Sequence, residues 1–248
     1  DCDVQISAIS QFVHGTTIAI NTVLERKGAK TALITTKGFR DVYTIGRNNR
    51  PEAFNLEFRR PRPLVPRSLT WEVEARMLAT GKIFTPLQES EVEGIGGALR
   101  DAGVSSVAVC LLHSYANPEH ERRVGKVLER VCPSIFVTLS HEILREYREY
   151  ERTSTTVLNA YVGPRVNGYL KQLETFLHNH RFGGTIQIMR SNGGTMSLQQ
   201  SRDQPVAMME SGPVAGMIAA GYIAKELDIE QCIGFDMGGT TAKTSLIT

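Results

Sequence analysis

The chain has 248 residues, and 28 Lys and Arg against 26 Asp and Glu leave a formal net charge of +2, so charge gives no argument for nucleic acid or an anionic membrane as a partner. Hydrophobic residues make up 41% and charged residues 22%, as in a soluble globular protein with a sizeable core. There is no apolar run of about 18 residues and no signal-peptide pattern, and the widely spaced Cys2, Cys110, Cys132 and Cys232 favour a reducing, cytoplasmic setting over a disulfide framework.

Residues 9–13 form a short apolar run that reads as a buried strand. His14-Gly15-Thr16-Thr17 leads into a helix over 18–26, whose first orphan N–H a hydroxyl of Thr16 or Thr17 would satisfy. A strand at 32–35 follows, and strand–helix–strand with such short links predicts a parallel βαβ unit. Residues 46–68 change character, with Arg47, Arg50, Arg59, Arg60, Arg62 and Arg67 interleaved with Pro51, Pro61, Pro63 and Pro66. The prolines exclude a regular helix or a central strand. The stretch reads either as a solvated connector or as an arginine-lined loop that grips a carboxylate or phosphate, with Arg47 and Asn48 the candidates for that role.

A strand over 69–77 with a return at 81–84 comes next. A helix over 88–102 stops before Gly103, and an apolar strand covers 107–112. Asn117 at the cap and Pro118 in the first turn open a helix running to about 131, and 135–139 is again a strand. This second β–α–β–α–β arrangement has the size of a small inserted α/β subdomain. His113, His120 and Glu121 do not have the spacing of a usual metal site. From Arg148 the pattern is helical as far as His180, with Gly163-Pro164 expected to kink or break it. The hydroxyl run Thr153-Ser154-Thr155-Thr156 forms helix poorly and reads as kept for what its side chains touch, while Arg152 and Thr153 read as structural.

After a strand at 186–189 comes Arg190-Ser191-Asn192-Gly193-Gly194-Thr195, a polar glycine loop at a strand's C-terminal end, where open α/β sheets bind ligands. Asn192, Gly193 and Gly194 are therefore ligand candidates, as are His14, Gly15, Thr16 and Thr17 at the end of the first strand. Glu210-Ser211-Gly212-Pro213 opens a helix rich in small residues. Ser211 or Gly212 suits its cap and Pro213 its first turn, and such an N-terminus is a ready anion site.

The stretch from Cys232 to Ile247 reads as strand, glycine turn and strand. Gly238 and Gly239 let the backbone approach a ligand, successive N–H groups make a concave anion site, and Thr240 and Thr241 add hydroxyl donors. Asp236 would repel a phosphate, so its role would be to hold Mg²⁺ through water or to orient an attacking water. The two commonest phosphate loops, G-x-x-x-x-G-K-[ST] and a G-x-G-x-x-G after a strand, do not occur. Residue 1 is an aspartate, and the apolar strand at 245–247 runs into Thr248 with no terminating signal. A strand exposed there would leave an unpaired apolar edge, so the expectation is a piece of a longer polypeptide.

Gly-Pro-Val-Ala-Gly at a helix start, followed by a linker and Phe-Asp-Met-Gly-Gly-Thr, is similar to the crossover of the actin-like ATPase and sugar-kinase superfold. A wider set of motifs in order, His14-Gly15-Thr16-Thr17, Thr36-Lys37-Gly38-Phe39-Arg40-Asp41-Val42, Ile45-Gly46-Arg47, Leu112-His113-Ser114-Tyr115, Tyr150-Glu151-Arg152-Thr153-Ser154-Thr155-Thr156, Ser191-Asn192-Gly193-Gly194, Ser211-Gly212-Pro213 and Asp236-Met237-Gly238-Gly239-Thr240, resembles the hydantoinase A / 5-oxoprolinase family over nearly the whole chain. The resemblance implies an α/β, RNase H-like domain of the actin-like ATPase superfold with a small inserted α/β subdomain, ending at the first hairpin of a second such domain. Residues 1–45 would start the first domain, 46–147 would be the insertion, 148–228 the remainder, and 229–248 the opening hairpin of the second. The family's earlier D-x-G-G-T hairpin would lie before residue 1.

The resemblance further implies ATP and Mg²⁺ as cofactors and ATP-dependent opening of a small cyclic amide, of the hydantoin or 5-oxoproline type, by phosphorylation of its carbonyl oxygen. Asp236 would be the catalytic and metal-holding residue, with Gly238, Gly239, Thr240, Thr241, Lys243, Ser211 and Gly212 around the nucleotide. The alternatives are a subunit of an ATP-dependent ketone carboxylase, or a nucleotide-gated binding module. A larger B-type subunit or fused domain is the implied partner, and this stretch alone is expected to be inactive. Lys243 departs from the family's commoner aspartate, and a cation there would contact phosphate instead of metal or water.

Overall fold

The computed structural model describes residues 5–47, 52, 54–238 and 241–248. The chain opens with β1 (Gln11–His14), α1 (Ile18–Leu24), β2 (Thr31–Thr36) and the single turn α2 (Val42–Ile45). Beyond the arginine- and proline-rich connector come β3 (Thr70–Val73), β4 (Arg76–Met77), β5 (Ile83–Thr85), α3 (Glu89–Asp101), β6 (Ser106–Cys110), α4 (Glu119–Val131), β7 (Phe136–Leu139) and α5 (Ser140–Ile143). The long α6 (Glu149–Asn179) leads to β8 (Thr185–Met189), β9 (Thr195–Ser197), α7 (Leu198–Asp203), α8 (Ser211–Glu226), β10 (Cys232–Met237) and β11 (Ala242–Ile247). The chain divides into two compact units, residues 1–27 with 165–248, and residues 28–164.

The unit 28–164 is built on a four-stranded sheet in the order β3-β2-β6-β7, parallel throughout. β2 and β6 are buried along their whole lengths, as their near-continuous apolar sequences require of strands covered on both faces. The pleat sends alternate residues to opposite sides. Ala32, Ile34, Val107 and Val109 meet Val92 and Leu99 of α3 and Val124, Val127 and Leu128 of α4. Leu33, Ala108 and Cys110 meet Val157 and Ala160 of α6. Each fully buried Leu, Ile or Val contributes about 1.5–3 kcal/mol, so this three-layer core is the main source of the unit's stability.

Two buried charges bracket Leu111 at the C-terminal end of β6. Arg152 donates to the Leu111 carbonyl at 2.7 Å and to the Glu146 carbonyl at 3.1 Å. Glu121 accepts from the Leu111 N–H at 2.8 Å, the Ser140 hydroxyl at 2.6 Å and the His141 N–H at 3.0 Å. Arg152 is thus structural, and Glu121 ties β6, α4 and α5 together. His113, His120 and Glu121 form no metal cluster, and no group of three metal-ligating side chains occurs among the described residues.

In the other unit, β1 pairs in parallel with β8, and β9 returns antiparallel to β8. α8 packs on the β10–β11 hairpin, where a Cβ at Gly234 would strike Met217 Sδ at 2.2 Å. No helix among the described residues is long and apolar enough to cross a membrane.

Several local expectations are corrected. β1, α1 and β2 do not form a βαβ unit, because β1 belongs with β8 whereas β2 lies between β3 and β6. β1 alternates between exposed and half-buried residues while β2 is wholly buried, so the two suit different sheets. The strand expected over 69–77 is split: β3 joins the parallel sheet, and only β4 pairs antiparallel with β5. Gly163-Pro164 does not break α6. Pro164 has no N–H for the Ala160 carbonyl, and the Ser106 hydroxyl supplies the missing donor at 2.6 Å. Gly163 is where the Phe136 ring presses against the helix, and a Cβ there would lie 2.2 Å from it. The loop at 190–194 turns β8 back into β9, with Gly193 at φ +84. Cap positions shift by one residue. Pro118 and Glu210 occupy them, and Asn117 Oδ1 accepts from the Glu119 N–H at 3.0 Å.

Candidate functional site

Most of the sequence-nominated residues lie in the unit formed by 1–27 with 165–248, around the N-terminal half of α8. Because β1 and β8 run parallel with His14 opposite Ile188, the loops that follow them leave the same end of the sheet. The His14–Thr17 loop lies against the start of α8. A Cβ at Gly15 would come within 3.1 Å of Ala215 Cβ and 3.2 Å of the Ser211 carbonyl, and one at Gly212 within 3.3 Å of the Thr16 carbonyl carbon. Glycine fits this approach without a shift, whereas a Cβ would force its neighbours to give by a few tenths of an ångström. The buried Ser211 hydroxyl donates to the Thr16 carbonyl at 3.1 Å and lies 3.4 Å from the Thr16 N–H. Thr16 Oγ1 accepts from the Ile18 N–H at 3.2 Å, the hydroxyl-to-orphan-N–H contact that the sequence predicts at this helix start.

The turn after β8 reaches the next turn of α8. A Cβ at Gly193 would lie 3.0 Å from Ile218 Cδ1 and 3.8 Å from Val214 Cγ1. Asn192 folds onto its own loop, its Oδ1 accepting from the Gly194 N–H at 3.1 Å, an Asx turn. His14 Nε2 lies 2.5 Å from the Tyr169 hydroxyl, and the two rings stack. Burial holds the His14 pKa below its ordinary 6.5, so the ring is neutral at pH 7 and can exchange a single hydrogen bond with Tyr169.

The hairpin brings the third group. Asp236 stands opposite Lys243 in the antiparallel ladder. Lys243 forms an ion pair with Glu210, the residue before α8, which takes a left-handed φ of +62. Lys243 is therefore directed at a carboxylate on α8's cap, and Glu210 is a counter-ion that the sequence did not single out. Asp236 is half-buried, and its carboxylate has no hydrogen bond or ion pair with the described residues. The Gly238 N–H donates to the Thr241 carbonyl at 2.9 Å, and a Cβ at Gly238 would meet nothing within 4 Å among the described residues. Gly239 and Thr240 lie outside the described residues, as does Asn48. Between α8 and β11 is a hollow of about 540 Å³, lined by Pro213, Val214, Met217 and Ile218 with the Glu210–Lys243 pair.

Arg47 lies in the unit 28–164 and pairs with Glu151. It lines a different cavity, of about 780 Å³, between α2, the connector and α6.

Residues 2–132 match the family model of the hydantoinase/oxoprolinase N-terminal region, and residues 152–248 match that of hydantoinase/oxoprolinase. An uncharacterized protein of Methanocaldococcus jannaschii is 44% identical over 247 residues, covering 98% of this chain and 36% of that protein. The caprolactamase subunit alpha of Pseudomonas jessenii is 31% identical, over 99% of this chain and 35% of its own length. Among solved structures, nucleotide-free acetone carboxylase aligns with a TM-score of 0.87 at 29% identity, covering 98% of this chain and 36% of that one. The ATP-dependent caprolactamase of Pseudomonas jessenii aligns at 0.84 and 30%, covering 97% and 35%. The chain thus spans about a third of the length of these relatives, and its α/β fold is of the actin-like ATPase type.

Proposed function

We propose, since the chain belongs to the hydantoinase/oxoprolinase family, that this protein uses ATP to activate a carbonyl oxygen by phosphoryl transfer. The observation that carries the reading is the gathering of the His14–Thr17 loop, the Gly193 turn and the hairpin bearing Asp236 around one half of α8. Phosphorylation of the oxygen makes it a leaving group, and the protein's part in such a transfer is positioning and charge stabilisation. The residues present fit the cofactors. The Asp236 carboxylate, without a partner among the described residues, suits a hydrated Mg²⁺, and the backbone at Gly238, open with respect to those residues, leaves room for phosphates. Bound there, Mg²⁺ would neutralise charge on the transferring group. Gly238, Gly239, Thr240 and Thr241 would face the nucleotide, with Ser211 and Gly212 setting α8 beneath it. Lys243, held by Glu210, would fix the hairpin to α8 until nucleotide draws it away.

Two reactions share this activation. The better supported is ATP-dependent carboxylation of a ketone within a multi-subunit enzyme, since the relatives include an acetophenone carboxylase gamma subunit, an acetone carboxylase beta subunit and the acetone carboxylase structure. The second is opening of a cyclic amide by water, favoured by the likeness to caprolactamase. Either role implies a larger B-type subunit or a fused domain as partner. Residues 1–45 with 148–228 would be an RNase H-like domain carrying 46–147 as its insertion, and β10–β11 would open a second such domain. The exposure of Ile233, Phe235, Met237 and Leu246 on the hairpin suits a face that further strands or helices cover. ADP release by the complete protein with its partner tests the reading. Release stimulated by ketone and dependent on bicarbonate is expected. Stimulation by a lactam without bicarbonate would establish the second reaction, and stimulation by neither would leave a nucleotide-gated binding module.

A further inference from the structure

We propose that the unit 28–164 carries a ligand site of its own, a pocket that takes the carboxylate of a small organic acid with a flat apolar body. The inference rests only on the cavity of about 780 Å³ between α2, the connector and α6, and is independent of the carbonyl chemistry above. Helical spacing of four places Tyr150, Ser154 and Leu158 on one face of α6, and all three line this cavity.

The hydroxyl run gives the first observation. Thr153 donates to Cys110 Sγ at 3.2 Å, Thr155 to the Glu151 carbonyl at 3.0 Å and Thr156 to the Arg152 carbonyl at 2.6 Å. Ser154, the member on the cavity face, has its hydroxyl shielded from solvent with no hydrogen-bond partner among the described residues. A shielded hydroxyl without a partner is costly, and its neighbours show that back-bonding to the helix is available here. An acceptor entering the cavity would satisfy it.

Charge gives the second. Arg47, Arg60 and Arg62 all line the cavity. Arg47 is anchored by Glu151, and Arg60 donates to the Thr44 and Ile45 carbonyls at the end of α2. Each guanidinium has five N–H donors, so anchoring one edge orients the other. Arg62 has no partner among the described residues. Three cations against one carboxylate leave a net positive cavity, and guanidinium forks match a carboxylate in geometry. Phe58 and Tyr150 supply aromatic wall, which suits a flat apolar body and gives a bare inorganic ion nothing to pack against.

Calorimetric titration of the full chain with benzoate tests the proposal, with benzyl alcohol as the uncharged counterpart and inorganic phosphate as the bare anion. Benzoate is expected to bind, more weakly at higher salt, and to lose about tenfold in affinity in Arg62→Ala. Ser154→Leu, which fills the floor of the cavity, should abolish binding with the native circular dichroism retained. Should Ser154→Leu fail to fold, the exposed Arg62 still decides the matter. Absence of benzoate binding, equal binding of benzyl alcohol, binding of phosphate in preference to benzoate, or an undiminished affinity in Arg62→Ala would each overturn the proposal.

Discussion

Gly15 makes a close approach that a side chain would crowd. A methyl group there would sit 3.1 Å from Ala215 Cβ and 3.2 Å from the Ser211 carbonyl, and both neighbours belong to helix α8, which cannot yield as a flexible side chain can. Gly15→Ala should therefore destabilise the protein by about 1–3 kcal/mol, measurable by urea unfolding, and push the His14–Thr17 loop off α8. By contrast, the methyl of Gly234→Ala meets the mobile tip of Met217 and should cost less. At this scale the sequence was readable in part. The glycines and threonines that meet at α8 were nominated by type and position. Glu210 was not, because an acidic residue before a helix start looks like an ordinary dipole partner, and only the folded hairpin brings Lys243 to it.

Among the elements, α6 shows how a sequence rule is overridden. A proline mid-helix removes one backbone bond, and here a side chain from β6 replaces the donor. Ser106→Ala should leave the Ala160 carbonyl buried and unpaired at a cost of about 1–3 kcal/mol. Adding Pro164→Ala restores an N–H for that carbonyl, so the double variant should be more stable than Ser106→Ala alone, a coupling that a double-mutant cycle reads directly. Two effects that simply add would show that Ser106 does not stand in for the missing donor. The same element explains a limit of sequence reading: nothing local to Gly163-Pro164 tells that Ser106 and Phe136 wait beside it. The apolar runs of β2 and β6 are legible as strands, whereas the run at 9–13, which reads as buried, forms the exposed to half-buried β1; nor does a strand announce its neighbours, and β2 pairs with β3 and β6 in place of β1.

For the whole molecule, stability should depend on pH through its histidines. Burial is the main cause that lowers the pKa values of His14, His113 and His120 below their ordinary 6.5. The unfolded chain then binds more protons than the folded one between those lowered values and 6.5. Stability from these groups is complete above 6.5 and is lost as pH falls from there toward the folded values. Thermal melts from pH 7.5 downward should show this loss beginning at about 6.5, before carboxylates titrate, and His14→Gln should remove part of it. A melting temperature unchanged between about pH 7 and 5.5 would contradict it.

Under the proposed function, Asp236 serves phosphoryl transfer to a carbonyl. The direct test is substrate-stimulated ADP release by the complete protein with its partner, wild type against Asp236→Asn, with ketone plus bicarbonate and with lactam. The expected result is stimulated release in the wild type and a fall of about 10²–10³-fold in Asp236→Asn. Stimulated release that is undiminished in Asp236→Asn would contradict it.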